Sequence, residues 1–148
     1  MDVWAWYMKS FAVTTVISAP PEAVWAVLID GAQWTTWNPT IEKVEGAIAP
    51  GGKLRVYTTL SPGRAFPVRV SAFDPPHRMV WTGGMPLGLF KGVRTYLLTP
   101  KDGGTEFDMR EAFSGLMAPL ISRSVPDLQP AFNEFAAALK RRVEGGSP

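Results

Sequence analysis

The alternation of apolar and polar residues over 92–114 constrains the fold of this chain more than any other feature. Near its end, Phe107, Met109, Glu111 and Phe113 fall on one side, and the residues between them, mostly charged, fall on the other. A period of two is typical of an antiparallel strand that buries one face. A slip of one residue would bury the charged side instead, so the pattern also determines the register.

The sequence KDGG at residues 101–104 predicts a tight hairpin turn within this stretch. A turn centred near Asp102 and Gly103 determines which side chains of the two strands face each other. The predicted pairs are Arg94 with Glu111, Tyr96 with Met109, and Leu98 with Phe107. The same face, extended to earlier strands, places Trp81 beside Tyr96 and Met79 beside Leu98, then Val70 and Ala72, then Val56 and Leu54.

Arg94 and Glu111 are therefore predicted to lie on the otherwise apolar inner face of a curved sheet. Removing charge from water costs free energy unless the charges are paired or used. The two residues form either a structural ion pair near the rim of a cavity or a contact for the polar end of a ligand. Apolar walls with a few convergent polar groups are typical of ligand sites.

Hydrophobic periodicity and the positions of proline predict the other elements. Two short helical segments are predicted. The first covers residues 20–31 and begins at two prolines, and the second covers residues 33–39 and closes before Pro39. Apolar residues three and four apart over 127–143 predict a long amphipathic last helix. The predicted strands before the hairpin cover residues 11–18, 53–60, 66–72 and 78–82.

Length and composition favour one domain. Of 148 residues, 46% are hydrophobic and 19% charged, as in a globular protein with one sizeable core. We predict an aromatic N-terminal extension over 1–10, a single domain over 11–143 and a flexible tail over 144–148. Cysteine is absent and His77 is the only histidine, which excludes thiol chemistry and multi-histidine metal sites. We therefore predict no cofactor and no metal.

Charge and hydropathy favour a cytoplasmic protein that binds no nucleic acid. The net charge is +2, and the basic run at 140–142 falls where a terminal helix ends, so it complements the helix dipole. No apolar run is long enough to span a bilayer. Residues 1–10 lack the pattern of a signal peptide. The oligomeric state is left open.

Several motifs, taken in their order and spacing, resemble one family. They are APPEAVW at 19–25, Trp34, WNP at 37–39, RMVW at 78–81, Gly92 with the alternation from Arg94 to Pro100, Gly104 with Thr105, and REAFSG at 110–115. Over residues 11–142 the chain resembles the START-like, Bet v 1-like superfamily (SRPBCC), in particular its polyketide cyclase/dehydrase and lipid-transport group.

The resemblance implies an α+β helix-grip fold. In such a fold about seven antiparallel strands curve around a long C-terminal helix, two short helices follow the first strand, and an elongated hydrophobic cavity lies inside. It does not imply one activity, because members bind lipids, sterols, polyketides or hormones and some cyclise or dehydrate polyketides.

Three functions follow as hypotheses. The first is binding or transport of a small hydrophobic ligand, lipid or polyketide-like, in an internal cavity. A carboxylate on this ligand is favoured because the Arg94 fork pairs with one bidentately. The second is a polyketide cyclase or dehydratase that uses Glu111 as acid or base and Tyr96 or Arg94 as oxyanion partner. The third is a non-catalytic interaction module. The predicted ligand-binding residues are Arg94, Glu111, Trp81, Tyr96, Met109, Phe66, Val68, Phe113, Phe90 and Phe132.

An apolar segment with two glycines, GMPLGLFK at 84–91, is predicted to be a loop. Flexible apolar loops over pockets commonly act as lids, so we predict that it gates the cavity or makes transient contact with a membrane or a protein. The alternative is that its side chains fill the core.

Overall fold

The computed structural model describes residues 7–121, 123 and 125–145, and it confirms the α+β helix-grip fold. The described strands are β1 (Tyr7–Ile17), β2 (Ile41–Glu45), β3 (Lys53–Thr58), β4 (Ala65–Asp74), β5 (Arg78–Met85), β6 (Phe90–Lys101) and β7 (Gly104–Ser114). The helices are α1 (Pro21–Ile29), α2 (Trp34–Trp37), α3 (Ala118–Ile121) and α4 (Gln129–Gly145), and a 3₁₀ turn at Gly31–Gln33 precedes α2.

One curved sheet holds all seven of these strands in the order β1-β7-β6-β5-β4-β3-β2, with every neighbouring pair antiparallel. The long helix α4 packs against β1 and α1. It buries Phe132, Phe135 and Leu139, which are at most 2% exposed. Burying a large apolar side chain stabilises a fold by about 1.5–3 kcal/mol, so this stripe alone holds the helix firmly in the sheet.

The predicted pairing of β6 with β7 is confirmed. Arg94 faces Glu111, and the two pairs that follow, Tyr96 with Met109 and Leu98 with Phe107, are also those expected. The turn that sets this register has Asp102 and Gly103 in the left-handed region, with φ of 49° and 83°. Both residue types tolerate that conformation, which is why the turn was recognisable.

The predicted neighbours in β5 are wrong by two residues. Trp81 lies opposite Arg94 and Met79 opposite Tyr96, rather than beside Tyr96 and Leu98. The error arises at the connecting turn, which is tighter than predicted and was treated as a loop. A shift of two residues leaves each side chain on its own face, so Trp81 and Met79 still point inward and are buried.

The inward position predicted for Ala72 is also wrong. A bulge between Val70 and Ala72 adds one residue to β4, so Val70 faces Trp81 but Phe73, not Ala72, faces Met79. Beyond a bulge the alternation continues on the opposite face. Phe73 accordingly packs its ring at 5.2 Å from that of Trp25.

One edge of the sheet and the start of the last helix differ from what the residue pattern predicts. The short edge strand β2 was not predicted from alternation, because most of its residues are polar and exposed. Helix α4 begins at Gln129, whose backbone N–H donates to an oxygen of the Asp127 side chain at 3.0 Å. Residues 1–6 and 146–148 lie outside the described residues, so the predicted extension and tail stay predictions.

The segment predicted to be a loop at 84–91 is a hairpin. Strand β5 runs to Met85 and β6 starts at Phe90, so only a four-residue turn remains. Its central residues, Leu87 and Gly88, have φ of 63° and 69°. Gly88 suits that conformation, whereas leucine adopts it rarely, so this turn carried no recognisable signal.

This β5–β6 tip is held by the segment after β7. The backbone N–H groups of Leu116 and Met117 donate to the carbonyl oxygens of Gly88 and Leu89 at 3.2 and 2.7 Å. Gly115 makes the approach possible, because a Cβ atom there would lie 2.8 Å from each of those two oxygens.

We expect Gly115→Ala to lower the free energy of unfolding by about 2–3 kcal/mol, since it combines a left-handed φ with a clash against backbone. Gly63→Ala is the matched control, because Gly63 also has a positive φ but open space around it. It should cost about 1 kcal/mol. Urea unfolding of both variants measures the difference, and equal losses would contradict the contact argument.

Candidate functional site

Arg94 and Glu111 meet on the inner face as an ion pair. Arg94 Nη2 donates to Glu111 Oε2 at 2.7 Å, and Arg94 Nε donates to the same oxygen at 3.2 Å. The side chains are 23% and 16% exposed, so the pair is half-buried but reachable from solvent. Among the described residues, Glu111 Oε1 and Arg94 Nη1 have no hydrogen-bond partner.

Helix α4 and strand β1 supply aromatic rings on one side of the pair. The centre of the Phe132 ring lies 5.0 Å from Arg94 Cζ, a cation–π distance. Phe11 lies directly opposite Glu111 in the sheet, and its ring centroid is 6.0 Å from that of Phe132. The guanidinium therefore rests on an apolar surface while its polar edge points to Glu111.

Two further rings and a glycine complete the surroundings. The rings of Phe90 and Phe113 stack at 5.6 Å, and Phe113 lies opposite Gly92. A Cβ atom at Gly92 would lie 3.2 Å from the Phe113 ring and 3.8 Å from Glu111 Oε1. A methyl group at Gly92 would therefore press on the Phe113 ring, so the glycine lets that ring pack closely against β6.

Deeper on the same face, aromatic rings pack into one cluster. Trp34 stacks on Trp81 at 5.4 Å, and Trp81 contacts Tyr96 edge-on at 5.1 Å. The ring centroids of Trp37 and Trp34 are 5.7 Å apart, and the Phe135 ring of α4 contacts both Trp34 and Trp37. These rings occupy the space between sheet and helix, so a ligand that reaches Trp81 or Tyr96 must displace some of them.

Three polar atoms of this cluster are buried without a hydrogen-bond partner among the described residues: Trp37 Nε1, Trp81 Nε1 and the Tyr96 hydroxyl. An unsatisfied buried donor costs about 1–3 kcal/mol, so such atoms are uncommon. All three can donate to an oxygen that enters the cluster.

The ionisation of Arg94 and Tyr96 reflects this environment. Burial lowers the pKa of Arg94, but the neighbouring Glu111 and Tyr96 outweigh it, so the pKa lies above its ordinary value and the guanidinium stays charged. Burial raises the pKa of Tyr96 to about 12, although the charge on Arg94 opposes the shift. Tyr96 is thus a neutral donor at physiological pH.

Most of the predicted ligand-binding residues are brought together. The site around the ion pair consists of Arg94, Glu111, Phe90, Phe113 and Phe132. Behind it, on β5, β6 and β7, lie Trp81, Tyr96 and Met109. Phe66 and Val68 lie apart on β4, where Phe66 faces Val56 of β3 and is covered by Arg64 at 4.9 Å. A ligand contact for these two residues stays a prediction.

Sequence reasoning did not select Phe11 for the site, and it recorded the other unpredicted members only as motif residues. Phe11 was not selected, because its position beside Glu111 depends on pairing between the first and last strands. Gly92 was noted as a motif residue without a role. Trp34 and Trp37 were likewise noted only as motif residues, and their spacing of three residues was the available signal.

Two surface hollows lie outside the aromatic cluster, and one of them borders the ion pair. One, of about 250 Å³, lies beside the β6–β7 turn and is lined by residues 16–18 and 101–104. The other, of about 240 Å³, lies mainly on the outer face, between β1, β6 and β7, and its lining includes Phe11 and Glu111 of the site. Neither contains Arg94 or the unpartnered donors, so neither replaces the inner-face site.

The β5–β6 tip is exposed rather than packed into the core. Leu87 is 92% exposed, and Leu116 beside it is 82% exposed. The alternative in which this segment fills the core therefore holds for Phe90, which is half-buried, but not for Leu87. Across the described residues, none of the helices combines the length and apolarity needed to cross a membrane.

Fold and site together define a helix-grip protein with a polar pair on an aromatic inner face. The sequence model of the polyketide cyclase/dehydrase and lipid transport family matches residues 8–144. The chain therefore belongs to this family, within the SRPBCC-type START-like group that its motifs resemble. A search of curated proteins gave no match.

Solved structures with the same fold extend the comparison. A hypothetical protein of Helicobacter pylori is 15% identical with a TM-score of 0.74, over 91% of this chain and 88% of its own. A protein of Mesorhizobium loti is 21% identical with a TM-score of 0.73, over 95% and 100%. DynU16, from the dynemicin biosynthetic locus, is 20% identical with a TM-score of 0.69, over 94% of this chain and 48% of its own. At these identities the likeness concerns the fold alone.

Removing either charge of the pair should destabilise the protein more than removing both. We expect Arg94→Met and Glu111→Gln each to cost close to the lower end of about 3–5 kcal/mol, because each leaves one uncompensated charge that is still partly hydrated. The double variant should recover part of the loss. Urea unfolding of all four proteins gives the coupling free energy; strictly additive losses would show that the two groups do not interact.

The raised pKa of Tyr96 predicts a loss of stability in alkali. The unfolded chain releases the Tyr96 proton near pH 10 and the folded chain near pH 12, so unfolding becomes progressively easier between those values. The contribution at stake is about 3 kcal/mol. Urea unfolding across this range should show a decline that is absent in Tyr96→Phe; a parallel decline in the variant would assign it to other groups.

Proposed function

We propose that the protein binds or transports a small hydrophobic molecule whose polar end contacts the Arg94–Glu111 pair. The observation that carries this proposal is a half-buried ion pair that retains unbonded polar atoms while phenylalanine rings surround it. A pair with a purely structural role gains most when all its hydrogen-bonding capacity is satisfied. Here Arg94 Nη1 and Glu111 Oε1 are left for another molecule.

The aromatic cluster behind the pair supports the same proposal. The hydroxyl of Tyr96 and Nε1 of Trp81 are buried and unpartnered among the described residues. Tyr96 lies two residues from Arg94 on β6, and Trp81 lies opposite Arg94 on β5. A ligand with further oxygen atoms along its length would satisfy them. The family to which the chain belongs is described by polyketide chemistry and lipid transport, both of which involve largely apolar molecules with oxygen functions.

A second candidate function uses the same residues for catalysis. Glu111 Oε1 is unbonded among the described residues, so it can accept a proton, while Arg94 next to it can stabilise an oxyanion. A cyclase or dehydratase would lose turnover in Glu111→Gln while it still bound its substrate. A carrier has no turnover to lose.

Native mass spectrometry of the purified protein tests the binding proposal, followed by organic extraction of whatever has co-purified. We expect a hydrophobic molecule in stoichiometric amount, and we expect Arg94→Ala to lose it because the polar anchor is gone. Arg110→Ala is the matched control, since Arg110 lies on the outer face of β7 and pairs with Asp108.

The control variant should keep the molecule. If no species co-purifies and the protein also fails to bind an uncharged apolar dye such as Nile red, the proposal is wrong. The interaction module would then become the better hypothesis.

A further inference from the structure

We infer that the polar end of the ligand is a neutral group that both donates and accepts hydrogen bonds, such as a primary amide, rather than the carboxylate expected from Arg94 alone. This inference rests on the proposed function and narrows the class of ligand. It follows from how Glu111 already occupies Arg94.

The first step concerns charge. Arg94 directs both Nε and Nη2 at one oxygen of Glu111, so the Nε–Nη2 edge of its guanidinium is already occupied by a carboxylate. The two formal charges cancel within the pair. A second carboxylate would meet an arginine that is already neutralised and would lie close to the negative charge of Glu111. An ammonium group would meet the opposite conflict with Arg94.

The second step concerns the atoms that remain. Arg94 Nη1 is a donor and Glu111 Oε1 is an acceptor, and neither has a partner within the part of the chain that the structure describes. A group that only accepts would leave Glu111 Oε1 unsatisfied, and a group that only donates would leave Arg94 Nη1 unsatisfied. A neutral group with both functions satisfies the two together.

The third step concerns access. The side chains of Arg94 and Glu111 are 23% and 16% exposed, so the pair can be reached from outside, and the phenylalanines around it offer an apolar surface to the rest of the ligand. Hydrogen bonds to charged partners are stronger than those between neutral groups. The charged pair therefore gives a neutral group strong hydrogen bonds while it imposes no net charge on the ligand.

The test compares three probes of equal chain length at neutral pH: decanamide, decanoate and decylammonium. Isothermal titration calorimetry measures each affinity, and ligand-observed NMR detects complexes that form without heat. For the natural protein we expect decanamide to bind about tenfold more tightly than either ion. This comparison needs no variant, so it holds even if a substitution prevents folding.

Substitutions at Glu111 and Glu106 then test which charge sets the order of probe affinities. Glu111→Gln uncovers the positive charge of Arg94, so decanoate should become the preferred probe. Glu106→Gln is the matched control, because it removes the same charge from the same strand at a residue paired with Lys101. It should leave the order of affinities unchanged.

The outcomes separate the two proposals. If decanoate binds the natural protein at least as tightly as decanamide, the neutral group is wrong while hydrophobic binding at the pair stands. If Glu106→Gln shifts the preference as far as Glu111→Gln does, overall charge decides the selectivity and the inference is also wrong. If none of the probes binds, the inference is wrong, and co-purification and Nile red binding then decide whether the proposed function stands.

Discussion

The pairing of β6 with β7 is the constraint on which the rest of the structure depends. It brings Arg94 and Glu111 together on a face that otherwise excludes charge, and either residue alone would be costly there. The same register turns Tyr96 and Met109 inward. The charged residues that alternate with Met109 along β7 then lie on the outer face. The inner face then provides the apolar surface on which helix α4 packs through Phe132.

Side-chain parity made most of the fold predictable, because it is a local property of each strand. Register between strands depends instead on the turns. The Asp102–Gly103 turn uses residues that favour a positive φ, and the pairing predicted from it was right. The turn at Leu87–Gly88 has similar central φ values but begins with leucine, which gives no such signal, and the pairing predicted across it was wrong by two residues.

The candidate site was predictable where it depends on one hairpin and unpredictable where it depends on long-range packing. Alternation together with the Asp102–Gly103 turn was enough to place Arg94 opposite Glu111. It could not show that Phe11 would lie opposite Glu111, since those two strands are far apart in the sequence. Nor could it show that Glu111 would bind Arg94 through one oxygen and keep the other unbonded, because that depends on side-chain rotamers.

The stacked tryptophans also have an optical consequence. Trp34 and Trp81 are nearly parallel, with an interplanar angle of 16° at 5.4 Å, and Trp37 lies 5.7 Å from Trp34. At such separations the excited states of the indole rings are coupled, so light absorbed by one is shared with its neighbours. Near-ultraviolet circular dichroism from these residues therefore arises from the cluster as a unit. Any molecule that separates two of the rings will change that signal, which makes the inner face its own label-free reporter.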